Sequence, residues 1–151
     1  MRLVIIGSGI AGHSACRAAL ETSADVEIVM VSRETSPLYS PCVLPYYIAG
    51  EVPRELVFLP REYEATERVR SMAGVDVVGI DGRRKKLLLE KGDIPYDRLI
   101  LALGGHSVVL PISGINLPGI FHCKTLEDAD AIMAWPGERA VVVGAGPIGG
   151  E

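Results

Sequence analysis

Leu3-Val4-Ile5-Ile6-Gly7-Ser8-Gly9-Ile10-Ala11-Gly12 joins a short apolar run to three glycines at fixed spacing. A continuous run of this kind, bounded by glycine, reads as a strand buried on both faces of a parallel sheet. The stretch from Gly9 to about Glu21 is rich in alanine and other small residues, so a helix is expected to start inside the glycine loop and pack closely on that strand. Val26 to Val31 is a second β-branched run. Strand, helix and strand within about thirty residues make one βαβ unit. Gly7, Gly9 and Gly12 have the dinucleotide-binding spacing: a tight turn, a close backbone approach to a pyrophosphate, and a helix–sheet contact. The anion would sit at the helix N-terminus, where unpaired N–H groups and the positive end of the dipole favour negative charge.

The fingerprint calls for an acidic residue about 20 positions on. Counted from Gly12, that position is Ser32, followed by Arg33 and Glu34. A serine–arginine corner suits the 2′-phosphate of NADP or, more weakly, the sugar of FAD, and both readings stay open at this level. Further along, Ala140 to Val143 reads as a second buried strand, running into Gly144, Gly146 and Gly149 at the same spacing. Two fingerprints imply two dinucleotides. The second lacks a following helix, so its pyrophosphate site is expected to be incomplete here.

Between the two fingerprints, Pro37, Pro41 and Pro45 break Ser36–Tyr47 into turns and short helical pieces around Cys42. The pattern from Pro60 to about Ser71 predicts a surface helix. Strands are expected at Val75–Ile80, Lys85–Glu90 and around Ile94–Tyr96, joined by Asp81-Gly82 and Lys91-Gly92-Asp93 turns. Leu99 to Leu103 reads as another fully buried strand. Thr125 and Asp128 have capping-box spacing at the start of a last helix.

The chain has 151 residues, 48% of them hydrophobic and 23% charged, with a net charge of -4. That composition excludes a disordered polymer and carries no basic footprint for nucleic acid. Arg83-Arg84-Lys85-Lys86, the one dense basic run, reads as a solvated turn. No apolar stretch reaches the roughly 20 residues of a bilayer span, and a cytoplasmic location is the default expectation. Three cysteines fit neither a disulfide framework nor a zinc site. His106 and His122 show no ligand spacing, so no metal is expected.

Taken together, these motifs resemble the N-terminal third of the FAD- and NAD(P)H-dependent pyridine nucleotide-disulfide oxidoreductases. The similarity is to the single-cysteine branch of NADH oxidases, coenzyme A-disulfide reductases and persulfide reductases. It rests on the first fingerprint, Cys42-Val-Leu-Pro-Tyr-Tyr-Ile-Ala-Gly50, Tyr96-Asp-Arg-Leu-Ile-Leu-Ala-Leu-Gly104, Leu117-Pro-Gly-Ile-Phe121 and the second fingerprint ending in Gly-Gly-Glu151. The fold it implies is α/β: a Rossmann-like FAD-binding domain over residues 1–110, with a parallel sheet and a small antiparallel meander. Residues 111–151 would be the linker and opening strand of an incomplete NAD(P)-binding domain.

The resemblance implies FAD on Gly7, Ser8, Gly9, Ile10, Ala11 and Gly12, with Ser32 and Arg33 near the adenosine ribose and Ala102-Leu103-Gly104 as the second flavin-contacting segment. Leu103 stands where the family usually has threonine. NAD(P)H as co-substrate would use Gly144, Gly146 and Gly149. Cys42 aligns with the redox cysteine, although Pro41 and Val43 replace its usual asparagine and small-residue neighbours; a free cysteine can also serve as a small buried hydrophobe. Cys16 and Cys123 read as packing residues, and His13 as a packing or solvent-facing one. Of Ser14, Ala18 and Glu21, where coenzyme A-specific members carry polar and basic side chains, only Ser14 keeps a hydrogen-bonding role and Glu21 would repel phosphate, which disfavours a coenzyme A disulfide. The expected activity is passage of electrons from NAD(P)H through FAD, by way of Cys42 or directly, to oxygen or a disulfide or persulfide, in a homodimer acting on small molecules. The alternatives are a rubredoxin- or ferredoxin-type reductase without a redox cysteine, and a truncated nucleotide-binding fragment with no turnover.

Overall fold

A computed structural model describes residues 1–61, 63, 66–137, 139–144, 146 and 149. The chain forms two compact units, Met1–Leu38 with Pro60–Gly104, and Tyr39–Leu59 with Gly105–Glu151. The proline-rich segment thus groups with the chain beyond Gly104, rather than with the residues before and after it.

In the first unit, β1 (Arg2–Ile6), β2 (Glu27–Ser32), β3 (Val69–Ala73) and β7 (Arg98–Leu101) form a parallel sheet in the order β3-β2-β1-β7. Helix α1 (Ile10–Thr22) makes the crossover from β1 to β2. Between β3 and β7 run β4 (Val77–Asp81), β5 (Lys86–Leu89) and β6 (Asp93–Pro95), an antiparallel three-stranded sheet.

The twofold alternation of β1 divides the core. Leu3 and Ile5 join Cys16, Val26, Ile28 and Met30 on the α1 face, where Ala15 and Ala19 allow close approach. Val4 and Ile6 join Val31 and Leu87 on the other face, under the meander. Asp81 closes the β4–β5 turn by accepting the N–H groups of Arg83 and Arg84 at 3.1 and 2.9 Å. The basic run is therefore a turn as far as Lys85, with Lys86 already in β5.

Three sequence expectations change. The helix expected over 60–71 does not form among its described residues, and its end becomes β3, paired in parallel with β2 from Ile28↔Val69 to Ser32↔Ala73. Pairing to a buried neighbour outweighs a local surface-helix pattern. Leu99–Leu103 is not fully buried: β7 hydrogen-bonds to β1 on one side, and Leu101 and Leu103 are exposed. Ala140–Val143 is no buried strand either. Val141 is 91% and Val143 81% exposed, because no neighbouring strand among the described residues pairs with them.

The second unit holds a 3-10 turn at Pro41–Val43, α2 (Leu44–Ile48), a second 3-10 turn at Arg54–Val57 and α3 (Leu126–Met133). Tyr39, Leu44, Tyr47, Val57, Leu126 and Ala129 are its buried cluster. Helix α3 carries the expected capping box, with Thr125 accepting the Asp128 N–H and Asp128 accepting that of Thr125. No helix among the described residues is long and apolar enough to cross a membrane.

Candidate functional site

The glycine loop joins the carboxyl end of β1 to the start of α1. The Gly7 N–H donates to the Val31 carbonyl at 2.8 Å, and the Ala102 N–H donates to the Ile6 carbonyl at 2.8 Å, so the ends of β2 and β7 flank it. Gly7 has φ +107°, and a Cβ there would land on the Ala102 carbonyl oxygen. A Cβ on Gly12 would land on the Gly7 carbonyl oxygen. At Gly9 nothing lies within 4 Å of that position. Two glycines are therefore required by the protein's own backbone, whereas the openness at Gly9 admits an outside group.

Gly9 is the N-cap of α1, with no side-chain cap and no acidic residue in the first turn. The leading N–H groups of a helix have no intrahelical carbonyl to meet and carry the positive end of its dipole. An uncapped N-terminus beside an open glycine is a fit for a pyrophosphate. Ala102, half-buried, and Gly104, at φ +67°, lie at the end of β7 beside this loop.

Next to the loop lies a cavity of about 110 Å³ whose lining includes Ser8, His13, Ser32, Glu34 and Arg61. Ser32 is buried, and its Oγ accepts the Glu34 N–H at 3.1 Å. That Asx-like turn past the end of β2 brings Glu34 to the cavity, while Arg33 is exposed and does not line it. Counting to the fingerprint's acidic position stops at Ser32 and gives Glu34, two residues on, no role; the signal for one is the turn-forming Ser-x-Glu at the end of a buried strand. His13 is buried, with its ring stacked on Tyr63 at 5.5 Å between centroids and its Nδ1 against the Tyr63 hydroxyl. It is a packed, hydrogen-bonded histidine rather than a solvent-facing one.

The three thiols differ sharply. Cys16 is fully buried in the α1 face of the core, and burial pushes its pKa up to about 11. Cys123 is half-buried and raised by burial and by the Asp128 charge. Both are poorly placed to form a thiolate. Cys42 is exposed in the Pro41–Val43 turn, so it is not a buried hydrophobe. Around it, the buried Tyr39 hydroxyl accepts the Leu126 N–H at 3.3 Å. The Tyr47 hydroxyl donates to Asp130 Oδ1 at 2.7 Å, and Arg54 Nη2 donates to Asp130 Oδ2 at 2.9 Å. The Arg54 guanidinium, followed by the Tyr47 hydroxyl, holds the Asp130 carboxyl below its usual range. No cluster of side chains among the described residues is arranged to hold a metal ion.

The second glycine loop repeats the contact of the first. Gly144 has φ +119°, and a Cβ on Gly149 would land on the Gly144 carbonyl oxygen, as one on Gly12 would on that of Gly7. The Gly149 N–H donates to the Gly146 carbonyl at 3.0 Å. Ala145, Pro147, Ile148, Gly150 and Glu151 lie outside the described residues.

Residues 1–151 match the model of the pyridine nucleotide-disulphide oxidoreductase family. The chain belongs to that family. Members similar to it include an NADH oxidase of Methanocaldococcus jannaschii, 33% identical over 163 residues, covering all of this chain and 36% of that protein. Rhodocoxin reductase of Rhodococcus erythropolis is 34% identical over 156 residues, again 100% of this chain and 36% of the relative. The chain thus spans about a third of the length of these family members. Among solved structures, an NAD-dependent persulfide reductase from A. fulgidus superposes with a TM-score of 0.81 at 26% identity, covering 88% of this chain and 27% of that one. Putidaredoxin reductase, in a covalent complex with putidaredoxin, gives 0.77 at 28% identity over 87% of this chain and 33% of its own.

Proposed function

We propose that this chain is the opening, FAD-binding part of a flavin-dependent NAD(P)H oxidoreductase that passes electrons to oxygen or to a disulfide or persulfide, with Cys42 as its redox thiol. In this reading residues 1–110 belong to the flavin-binding domain and residues 111–151 open the NAD(P)-binding domain. The observation that carries it is the open N-terminus of α1 at Gly9, between two glycines that the backbone itself demands. Bound FAD would supply a ring that takes two electrons from a reduced nicotinamide and passes them on. The loop from Gly7 to Gly12, with Ser8, Ile10 and Ala11, would hold the pyrophosphate. Ala102, Leu103 and Gly104 would lie along the flavin half, and Gly144, Gly146 and Gly149 would receive the pyrophosphate of NAD(P)H.

Glu34 would accept from the adenosine ribose hydroxyls, a role that excludes a 2′-phosphate at this loop by like charge. Glu34→Gln is expected to weaken FAD binding about tenfold, the cost of losing a charged acceptor. Arg33→Ala should leave it within about twofold, as for other exposed positions. Fluorescence titration of the apoprotein with FAD checks both.

As a thiolate, Cys42 attacks one sulfur of the acceptor disulfide, forming a mixed disulfide and releasing the other sulfur as a thiolate. Two electrons that originate in NAD(P)H then cleave the mixed disulfide, returning the Cys42 thiolate and the second substrate thiolate, and both product thiolates take protons from water. The full-length protein would work as a cytoplasmic homodimer. A second reading, reduction of a small redox protein with Cys42 as a bystander, is favoured by the similarity to rhodocoxin reductase and to putidaredoxin reductase. The absorbance spectrum of the purified full-length protein is the test. Yellow flavin bands that bleach on adding NADH or NADPH are expected, and a colourless protein that fails to take up FAD would refute the proposal.

A further inference from the structure

The turn that carries Cys42 is short of internal support. Pro41–Val43 is a single 3-10 turn and α2 has five residues, well below the length at which a helix holds itself in water. Its shape is therefore set from outside, and what lies against it is α3. Leu126 and Ala129 are buried in one cluster with Tyr39, Leu44, Tyr47 and Val57. Polar contacts fasten the two sides. Tyr39, three residues before the thiol, meets the first N–H of α3, and Tyr47, five residues after it, donates to Asp130 one turn further along the helix. Arg54 holds the second carboxylate oxygen. Cys42 thus lies in a span of chain pinned at both ends to the same helix.

We propose that α3 sets the position of the Cys42 sulfur, with Tyr39, Tyr47 and Asp130 as its positioning residues. The proposal rests on the reading of Cys42 as a redox thiol. It gives α3 a task in the thiol-dependent half of the reaction and none in the reduction of the flavin. A misplacement on the order of 1 Å can cost about 100-fold in rate, so loosening the pins should be felt at the sulfur.

The test uses the FAD-loaded full-length protein in rapid mixing, with flavin reduction by NADH and reoxidation by dithiobis(nitrobenzoate) measured separately. Alkylation of Cys42 by iodoacetamide is followed against pH by peptide mass spectrometry. Asp130→Ala and Tyr47→Phe are expected to slow reoxidation roughly 10- to 100-fold and to move the alkylation profile, with flavin reduction unchanged. Asp130→Glu should recover most of the loss. Should the Asp130→Ala protein not fold, Tyr47→Phe, which deletes one hydroxyl, decides alone. Wild-type reoxidation and an unmoved alkylation profile would overturn the proposal, and so would equal losses in both half-reactions, which mark a general structural role. Cys42→Ser is run in parallel. If that variant reoxidises normally, the thiol reading itself falls and this proposal with it, whereas a dead Cys42→Ser beside unaffected Tyr47→Phe and Asp130→Ala variants rejects the positioning role alone.

Discussion

Cys42→Ser is expected to lower turnover on a disulfide acceptor by about 1,000-fold or more, the scale on which removal of a covalent nucleophile is felt. Serine keeps the size of the side chain but not its ionisation near neutral pH, so attack on sulfur stops while the turn is undisturbed. Flavin reduction by NAD(P)H should be unchanged, because that half of the reaction forms no bond to this sulfur. Stopped-flow absorbance of the two halves checks the expectation. Wild-type turnover with the physiological acceptor would instead remove the thiol mechanism and leave Cys42 a bystander. Cys16→Ser offers the contrast: its thiol is packed against β1 and β2 and raised to about 11, so its replacement should affect stability more than turnover.

Gly12→Ala and Gly9→Ala should separate folding from binding at the glycine loop. At Gly12 the added methyl group meets the Gly7 carbonyl oxygen, which is backbone and cannot swing aside. Overpacking of that kind costs about 1–3 kcal/mol and at times more, a large share of the 5–15 kcal/mol typical of a domain. The Gly12→Ala protein is expected to unfold at clearly lower urea concentration even without FAD. At Gly9 the methyl group meets nothing within 4 Å, so the apoprotein should keep its stability and even gain slightly from a less flexible unfolded chain. FAD affinity should nevertheless fall at least tenfold, because the methyl group occupies the space through which a pyrophosphate would approach. Urea unfolding of the apoproteins and FAD titration together provide the measurement. Equal FAD affinity in wild type and Gly9→Ala would remove the loop as the pyrophosphate site.

Where the determinants are local, the sequence carried them. The run Leu3–Ile6, the glycine spacing and the small residues of α1 each act within a few positions, and the structure has them as strand, close-contact loop and helix. Thr125 and Asp128 form the anticipated capping box for the same reason. Residues 69–71, the end of the expected helix, open β3 instead, because alternating charged and apolar side chains suit an exposed helix and a half-buried strand alike. What settles the matter is pairing with β2, some forty residues earlier in the chain. The valines at 141–143 show the converse: an apolar run becomes a strand only when a neighbour takes its N–H and C=O groups. Glu34 follows the fingerprint's acidic position without being assigned to it, because the counting ends with the strand, whereas the Ser32 hydroxyl bends the following residues back. The contacts of Asp130 with Tyr47 and of Leu126 with Tyr39 join residues 83 and 87 positions apart, a separation that no local pattern reports.

The position of β1 also bears on how the protein is made. This strand precedes β7 in the chain by almost a hundred residues, yet β7 is one of its two neighbours, and the backbone N–H of Arg2 is held by the carboxylate of Asp97, 95 residues later. Until that stretch is synthesised, one edge of the most apolar strand in the sheet stays bare. Contacts of such long range slow folding and prolong the exposure of sticky edges, so nascent chains stalled before Arg98 should be strong clients for chaperones.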